Sequence, residues 1–72
     1  MNDHIDEGAI KVIEIIGVST ESFDNAVSNA VAKAALSISG ITGVEVERLS
    51  ASVRDGRITH YKATMKLAFV VR

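Results

Sequence analysis

The chain contains no cysteine, no proline and no tryptophan among its 72 residues, and its aromatic content is 4%. Without cysteine it has neither disulfides nor a thiolate zinc site. The lack of proline, repeats and low-complexity stretches indicates one domain without a linker. A domain of this length buries only about 60% of its unfolded surface, so its own core is marginal. We therefore expect oligomerisation to supply the missing stability.

Apolar residues are abundant despite this small size. Hydrophobic residues make up 47% of the chain, mostly as Val, Ile and Ala. So much apolar surface exceeds what one short domain can enclose. We expect the surplus to lie on surfaces covered by other copies of the same chain.

Charge and hydropathy exclude several classes of partner. The net charge is −1 and the sequence pI is about 6.0, so the composition predicts no basic surface for nucleic acid or a membrane. Residues 1–7 are acidic where a secretory signal is basic, and no stretch approaches the roughly 18 apolar residues of a membrane helix. We expect a cytoplasmic protein with a flexible leader at 1–8 and a single domain at 9–72.

The first half of the chain predicts a strand followed by a helix. Residues 10–18 are rich in Val and Ile and are bounded by Gly8 and Ser19, as is typical of a strand. Ser19 or Ser22 can then cap a helix from about 21 to 39, and Gly40 is a plausible stop. Its apolar stripe consists of Phe23, Ala26, Val27, Ala30, Val31, Ala34 and Ile38, and its polar side of Asp24, Asn25, Ser28, Asn29 and Lys33.

The second half predicts one long hairpin. Asp55-Gly56 is a strong signal for a two-residue type I′ turn. Counting outward along both strands from the turn, with Arg54 opposite Arg57, gives the cross-strand pairs. On one face of the sheet these are Val53–Ile58, Ala51–His60, Leu49–Lys62, Glu47–Thr64, Glu45–Lys66 and Gly43–Ala68. The other face pairs Ser50–Tyr61, Arg48–Ala63, Val46–Met65, Val44–Leu67 and Thr42–Phe69. This predicts an α+β fold, a β-α-β-β unit whose three-stranded antiparallel sheet partly wraps one helix. It also predicts a cross-strand charge pair between Glu45 and Lys66.

These elements resemble the dodecin family in order, length and particular strings. The segments that carry the resemblance are KVIEIIGVS at 11–19, SF at 22–23, AV at 26–27, AVAKA at 30–34, VEV at 44–46 and YKATMKLAF at 61–69. The resemblance covers roughly residues 9 to 71. It implies a hollow homododecamer built from trimers, with flavins bound in pairs between subunits. Each flavin stacks on a tryptophan and is hydrogen-bonded by a glutamine, in a role of storage rather than catalysis.

The chain departs from the family at both of these ligand-binding positions. The tryptophan precedes the VEV segment, where this chain has Gly43, and the glutamine follows the tyrosine, where this chain has Lys62. The family pocket would thus be at Gly43, Glu45 and Lys62. Because the stacking ring is missing and lysine cannot accept a hydrogen bond, we expect binding of FMN or riboflavin to be weakened or lost.

Other side chains suggest alternatives. Glu45 and Glu47 lie two residues apart, and threefold symmetry could gather them into a calcium or magnesium site, although paired glutamates are more often simple surface charge. His60 has no partner that would orient it as a catalytic base, so we expect that the chain is not an enzyme. We expect Tyr61 to pack against Ser50, and the sequence leaves stacking on a cofactor as the alternative. The favoured function is small-molecule binding and storage by a homo-oligomer, and the alternative is a flavin-free structural or regulatory assembly.

Overall fold

The computed structural model describes residues 7–71 and contains one helix and three strands. In chain order these are β1 (Ala9–Ser19), α1 (Phe23–Ala34), β2 (Ile41–Arg54) and β3 (Arg57–Val71). Both sheet pairings are antiparallel, and β3 lies between β1 and β2. The predicted β-α-β-β fold is confirmed. Most of the predicted leader, residues 1–6, lies outside the described residues.

The helix begins at Phe23, two residues after the predicted start, and ends five residues before the predicted end. The Ser22 hydroxyl accepts a hydrogen bond from the Asn25 backbone N–H at 3.0 Å, which satisfies a free donor of the first turn. The predicted end near residue 39 is wrong, because regular helix stops at Ala34 and tighter turns follow. Leu36 is 81% exposed there, so no apolar packing holds a further turn in place. Gly40 does adopt a positive φ of 77°, but in the connection to β2.

The helix packs on β1 and β3 around a small core. Ala26 and Ala30 of α1 meet Ala63 and Met65 of β3, while Ile15 and Val27 pack at the side. Gly17 of β1 lies directly beneath the helix: a methyl group there would overlap the Ala26 carbonyl and lie 3.0 Å from the Cβ of Ala30. The absence of a side chain at Gly17 thus sets how closely helix and sheet approach.

A polar cluster joins the end of β1 to the helix. The Ser19 hydroxyl, 5% exposed, donates to Oδ1 of Asn25 at 2.8 Å and accepts from the Glu21 backbone N–H at 2.9 Å. Nδ2 of Asn29 donates to the Val18 carbonyl at 3.1 Å and to Oδ1 of Asn25 at 3.2 Å. Asn25 and Asn29 were expected on the solvated side of the helix. They instead tie its first two turns to the strand.

The hairpin turn is confirmed, and the register is partly wrong. Asp55 and Gly56 have φ values of 52° and 76°, as a type I′ turn requires. Three register shifts occur, between Ser52 and Val53, between Val46 and Arg48 and between Ile41 and Gly43. The pairs predicted between the first two shifts are therefore wrong by one residue. The third shift makes Thr42–Phe69 wrong as well, since Ile41 opposes Phe69. The pairs Val53–Ile58, Val46–Met65, Glu45–Lys66, Val44–Leu67 and Gly43–Ala68 are confirmed.

The subunit is elongated and leaves much apolar surface exposed. Its principal extents are 51 × 21 × 19 Å and its radius of gyration is 14.1 Å. A compact domain of this length has a radius of about 11 Å. Within residues 7–71, Met65 and Leu67 are the large side chains that are fully buried. The exposed large apolar side chains are Ile10, Val12, Ile16, Val18, Leu36, Val44, Val46, Leu49, Val53, Ile58 and Val71.

Across residues 7–71, the helix is neither long nor apolar enough to cross a lipid bilayer.

Candidate functional site

The candidate site lies on the sheet face that points away from the helix, which we call the outer face. Side chains alternate between the two faces of a strand, and Met65 and Leu67 face the helix, so their neighbours face outward. The outer face is made of Ile10, Val12, Glu14, Ile16 and Val18 of β1, Lys62, Thr64, Lys66, Ala68 and Val70 of β3, and Gly43, Glu45, Arg48, Ser50 and Ser52 of β2.

Gly43 opens a cleft on this face. The cleft has a volume of about 430 Å³ and is lined by Val12, Gly43, Val44, Glu45, Lys66 and Ala68. A Cβ atom at Gly43 would meet no atom within 4 Å, so the space beside it is free in the subunit. The structure therefore places two of the three predicted pocket residues, Gly43 and Glu45, at one cleft.

The third predicted residue, Lys62, shares the outer face and lies elsewhere on it. Gly43 opposes Ala68, which is six residues from Lys62 along β3. At about 3.4 Å per residue, the separation is about 20 Å. One subunit alone therefore does not bring Gly43 and Lys62 together. Residues on the same face of a sheet point in the same direction, but they can still be far apart along the strands.

The register shifts also change which residues accompany Lys62. The sequence paired it with Leu49, whereas the structure pairs it with Ser50 on β2 and Val18 on β1. Leu49 opposes Ala63 instead and belongs to the helix side of the sheet. On the β2 side this part of the outer face is consequently polar, while Val18 and Ile16 of β1 make the other side of Lys62 apolar.

Glu45 and Glu47 both lie near one lysine of β3, Lys66. Glu45 and Glu14 are the cross-strand neighbours of Lys66. Glu45 opposes Lys66 across the strands as predicted, while the ion pair is formed by Glu47, whose Oε2 lies 3.3 Å from Nζ of Lys66. Glu47 reaches this lysine because it is the extra residue of the β-bulge. Within residues 7–71 no three acidic or histidine side chains gather as a metal site would need, so the hypothesis of a metal at Glu45 and Glu47 stays a prediction that requires a second copy.

Tyr61 and His60, the two other side chains considered as candidates from the sequence, lie away from the cleft. Tyr61 opposes Ala51 and packs edge-on against Phe23 at 5.0 Å, so its predicted contact with Ser50 is wrong. Nδ1 of His60 lies 3.1 Å from the Thr59 hydroxyl on an exposed strand position. Neither ring lines the Gly43 cleft.

Sequence reasoning missed four of the cleft residues: Val12, Val44, Lys66 and Ala68. The signal for Ala68 was present, because counting from the turn pairs it with Gly43, and the two register shifts in between cancel. Val12 could not be found in this way, since it opposes Ala68 across β1, and the register of β1 depends on a long-range pairing.

Solved structures similar to this chain include three bacterial proteins. Dodecin from Streptomyces coelicolor has a TM-score of 0.92 and 28% sequence identity, over 94% of this chain and 97% of that one. Dodecin from Streptomyces davaonensis has a TM-score of 0.86 and 30% identity, over 89% and 94%. A calcium dodecin from Mycobacterium tuberculosis, described as a calcium-chelating immunodominant antigen with a novel calcium-binding site, has a TM-score of 0.80 and 32% identity, over 90% and 93%.

Among curated proteins, no sequence match was found. The family model for dodecin matches residues 9–72, which is almost the whole chain. This match, together with the β-α-β-β fold, establishes that the chain belongs to the dodecin family.

Proposed function

We propose that this chain is a non-enzymatic storage protein that assembles as a hollow homododecamer in the cytoplasm and binds a small molecule at the Gly43 cleft. Dodecins form homo-oligomers and bind small molecules such as flavins. The observation that carries the proposal is the free space beside Gly43 on the outer face. A volume of about 430 Å³ is within the usual range of small-molecule sites.

The candidate ligand is a flavin, FMN or riboflavin, bound more weakly than in family members with a stacking tryptophan. The described cleft has no aromatic lining residue. A stacked aromatic pair contributes about 0.5–1.5 kcal/mol beyond its buried area, and two indoles about twice that. Their loss alone would weaken flavin binding by roughly five- to 150-fold.

A second copy would complete the cleft. In one subunit the Gly43 cleft and Lys62 are separated by about 20 Å. A neighbouring subunit that presents its own outer face could place its Lys62 beside this Gly43. This is the arrangement that the family's flavin sites between subunits imply for this chain.

Titration of riboflavin with the assembled protein tests the proposal. We expect weak quenching of flavin fluorescence in the wild type, and stronger quenching in a double variant, Gly43→Trp with Lys62→Gln. Free space around Gly43 allows the indole to be introduced without a clash in the subunit. Ser28→Trp, on an exposed helix position, is a control for non-specific stacking. An assembled double variant that leaves flavin as fluorescent as the control does would count against the placement of the pocket.

A flavin-free assembly that binds calcium or magnesium is the second candidate. It is favoured by the 32% identity to the calcium dodecin and by the position of Glu45 and Glu47 around Lys66. Symmetry-related copies would have to supply the further oxygen ligands. A chelator should then lower the melting temperature of wild type and not of Glu45→Gln, whereas equal melting with and without chelator would exclude this candidate.

A further inference from the structure

The free edge of β1 is regular and apolar. The strand order β1-β3-β2 leaves one side of β1 without a neighbouring strand among the described residues. Its 11 residues pair with β3 without a register shift. The pairing of β2, in contrast, is interrupted by three register shifts, and β2 carries Glu45, Glu47 and Arg48, which are features that protect an edge from further pairing. A long, apolar edge without such protection is a site at which another strand can add to the sheet.

Hydrogen bonds on both sides of the sheet show which backbone groups face this edge. Nδ2 of Asn29 donates to the Val18 carbonyl at 3.1 Å, so this carbonyl points away from β3. On the other side, the Val70 N–H donates to the Gly40 carbonyl at 3.0 Å, so the even-numbered residues of β3 bond toward β2 and the odd-numbered ones toward β1. Backbone direction alternates along a strand. The N–H and C=O groups of the even-numbered residues from 10 to 18 therefore face the free edge.

This row of backbone groups restricts what can cover the edge. Among the described residues, only the Val18 carbonyl of the row has a partner, the side chain of Asn29. Buried backbone groups require hydrogen bonds, so a covering surface must supply donors and acceptors at the spacing of a strand. The edge is flanked by apolar side chains that are 46–60% exposed, those of Ile10, Val12, Ile16 and Val18. The occupant is consequently an extended chain with apolar side chains on the same face.

The outer-face residues of β1 have the same pattern in both directions. They are Ile10, Val12, Glu14, Ile16 and Val18, with two apolar residues on each side of one central glutamate. Two antiparallel copies of β1, related by a two-fold axis at Glu14, would oppose Ile10 with Val18 and Val12 with Ile16. These contacts are all apolar. The facing Glu14 carboxylates are the unfavourable contact, and each has Lys66 as its cross-strand neighbour on β3.

The helix side of the edge has room for a second strand. A groove of about 600 Å³ runs between β1 and α1, lined by residues 15–18 of the strand and by Asn29, Ala30, Lys33 and Ala34 of the helix. In the same register, Ile13 of the second copy would oppose Ile15 at this groove. The helix contacts β1 at Gly17 and Val18, so the two-fold axis places the second helix at the opposite end of the paired strands.

We propose that the free edge of β1 pairs antiparallel with β1 of a second copy, about a two-fold axis at Glu14. The two three-stranded sheets then form one sheet of six strands, and each copy uses the same surface. The inference rests on the homo-oligomer of the proposed function and adds the surface through which two of its subunits are joined.

Single-cysteine variants test the pairing, because the chain has no cysteine of its own. Facing residues of a hydrogen-bonded antiparallel pair have Cα atoms about 5.5 Å apart, which is within disulfide range. Oxidation of the assembled protein should therefore link Glu14→Cys into a covalent dimer. Val18→Cys is the matched control on the same strand. Its two copies would be about 27 Å apart, so it should give at least tenfold less covalent dimer.

A proline at the same position tests the backbone hydrogen bonds. Glu14→Pro removes an N–H that faces the free edge and leaves the bonds from β1 to β3 in place. Glu14→Ala removes the same carboxylate and keeps the N–H. In size exclusion with light scattering, the proline variant should elute as a smaller species than the alanine variant. Hydrogen exchange of the assembled wild type provides a measurement that needs no variant: the Glu14 amide should exchange as slowly as those of Ile13 and Ile15, which bond to β3.

Three results would overturn the pairing. They are equal amounts of covalent dimer in Glu14→Cys and Val18→Cys, a proline variant that assembles as the alanine variant does, and fast exchange of the Glu14 amide beside slow exchange at Ile13 and Ile15. Any of these in a wild type that assembles would refute the edge pairing alone. A wild type that stays monomeric would refute the proposed homo-oligomer itself, and the pairing with it.

Discussion

At the scale of single residues, two glycines of the sheet have opposite roles. Gly17 lies under the helix, where a side chain has no room, and Gly43 lies beside an open cleft, where one has ample room. Their backbone conformations do not require glycine, because neither is among the residues with positive φ. The reason for each glycine is therefore what surrounds it.

Gly17→Ala should destabilise the fold strongly. The new methyl group would overlap the Ala26 carbonyl, so the helix must move away from the sheet. Overpacking of this kind costs typically about 1–3 kcal/mol. Urea unfolding at a fixed protein concentration measures the loss, with Gly43→Ala as the matched control that is expected to stay within about 0.5 kcal/mol of wild type. Equal stability of the two variants would contradict the close approach at Gly17.

At the scale of elements, several side-chain hydrogen bonds fix the start of the helix, whereas none of this kind fixes its end within the described residues. Ser22 caps the first turn, and Asn25 and Asn29 bond to the end of β1. Beyond Ala34 the chain makes isolated turns as far as Gly40. The sequence narrowed the cap to Ser19 or Ser22 because capping is local chemistry, and the structure selects Ser22. The apolar spacing in the sequence, in contrast, continues to Ile38, beyond the end of the helix.

Ser22→Ala should lower the free energy of unfolding by about 1 kcal/mol, because the Asn25 backbone N–H loses its acceptor. Ser28→Ala is the matched control, since Ser28 is an exposed serine inside the same helix and alanine has the higher helix propensity there. Thermal unfolding followed by circular dichroism compares the two. A Ser22 variant as stable as the Ser28 variant would show that the cap contributes nothing.

At the scale of the whole molecule, the exposed apolar surface forms two rows. One consists of the outer-face residues of β1, of which Ile16 is 60% exposed. The other lies on the helix side of β2, where Val46 is 44% exposed and Leu49 is 51% exposed. The helix packs chiefly on β1 and β3 and leaves this second row uncovered. Two separate apolar rows on an elongated subunit support assembly through more than one kind of contact.

Ile16→Asp should break the assembly, because a buried carboxylate without a partner is costly in a subunit interface. We expect wild type to elute near twelve times the 7.7 kDa chain mass and the variant to elute as a smaller species or to unfold. Light scattering coupled to size exclusion measures this, and Ser28→Asp controls for added negative charge. A wild-type chain that stays folded as a monomer at micromolar concentration would contradict the assembly.

The sequence by itself determined the element order, the type I′ turn and a serine cap at Ser19 or Ser22, since each depends on neighbours along the chain. The pairs nearest Gly43 also agree with the count from the turn, because the two register shifts between them and the turn lie on opposite strands and cancel. It also carried the family resemblance. Only the tertiary structure decided the positions of the three register shifts, because an extra strand residue is set by packing across the sheet and cannot be read from the alternation of apolar and polar residues. Those shifts moved Leu49 to the helix side, brought Glu47 to Lys66, and placed Arg48 and Ser50 beside Lys62. The strand positions also determined that Gly43 and Lys62 share a face while lying about 20 Å apart.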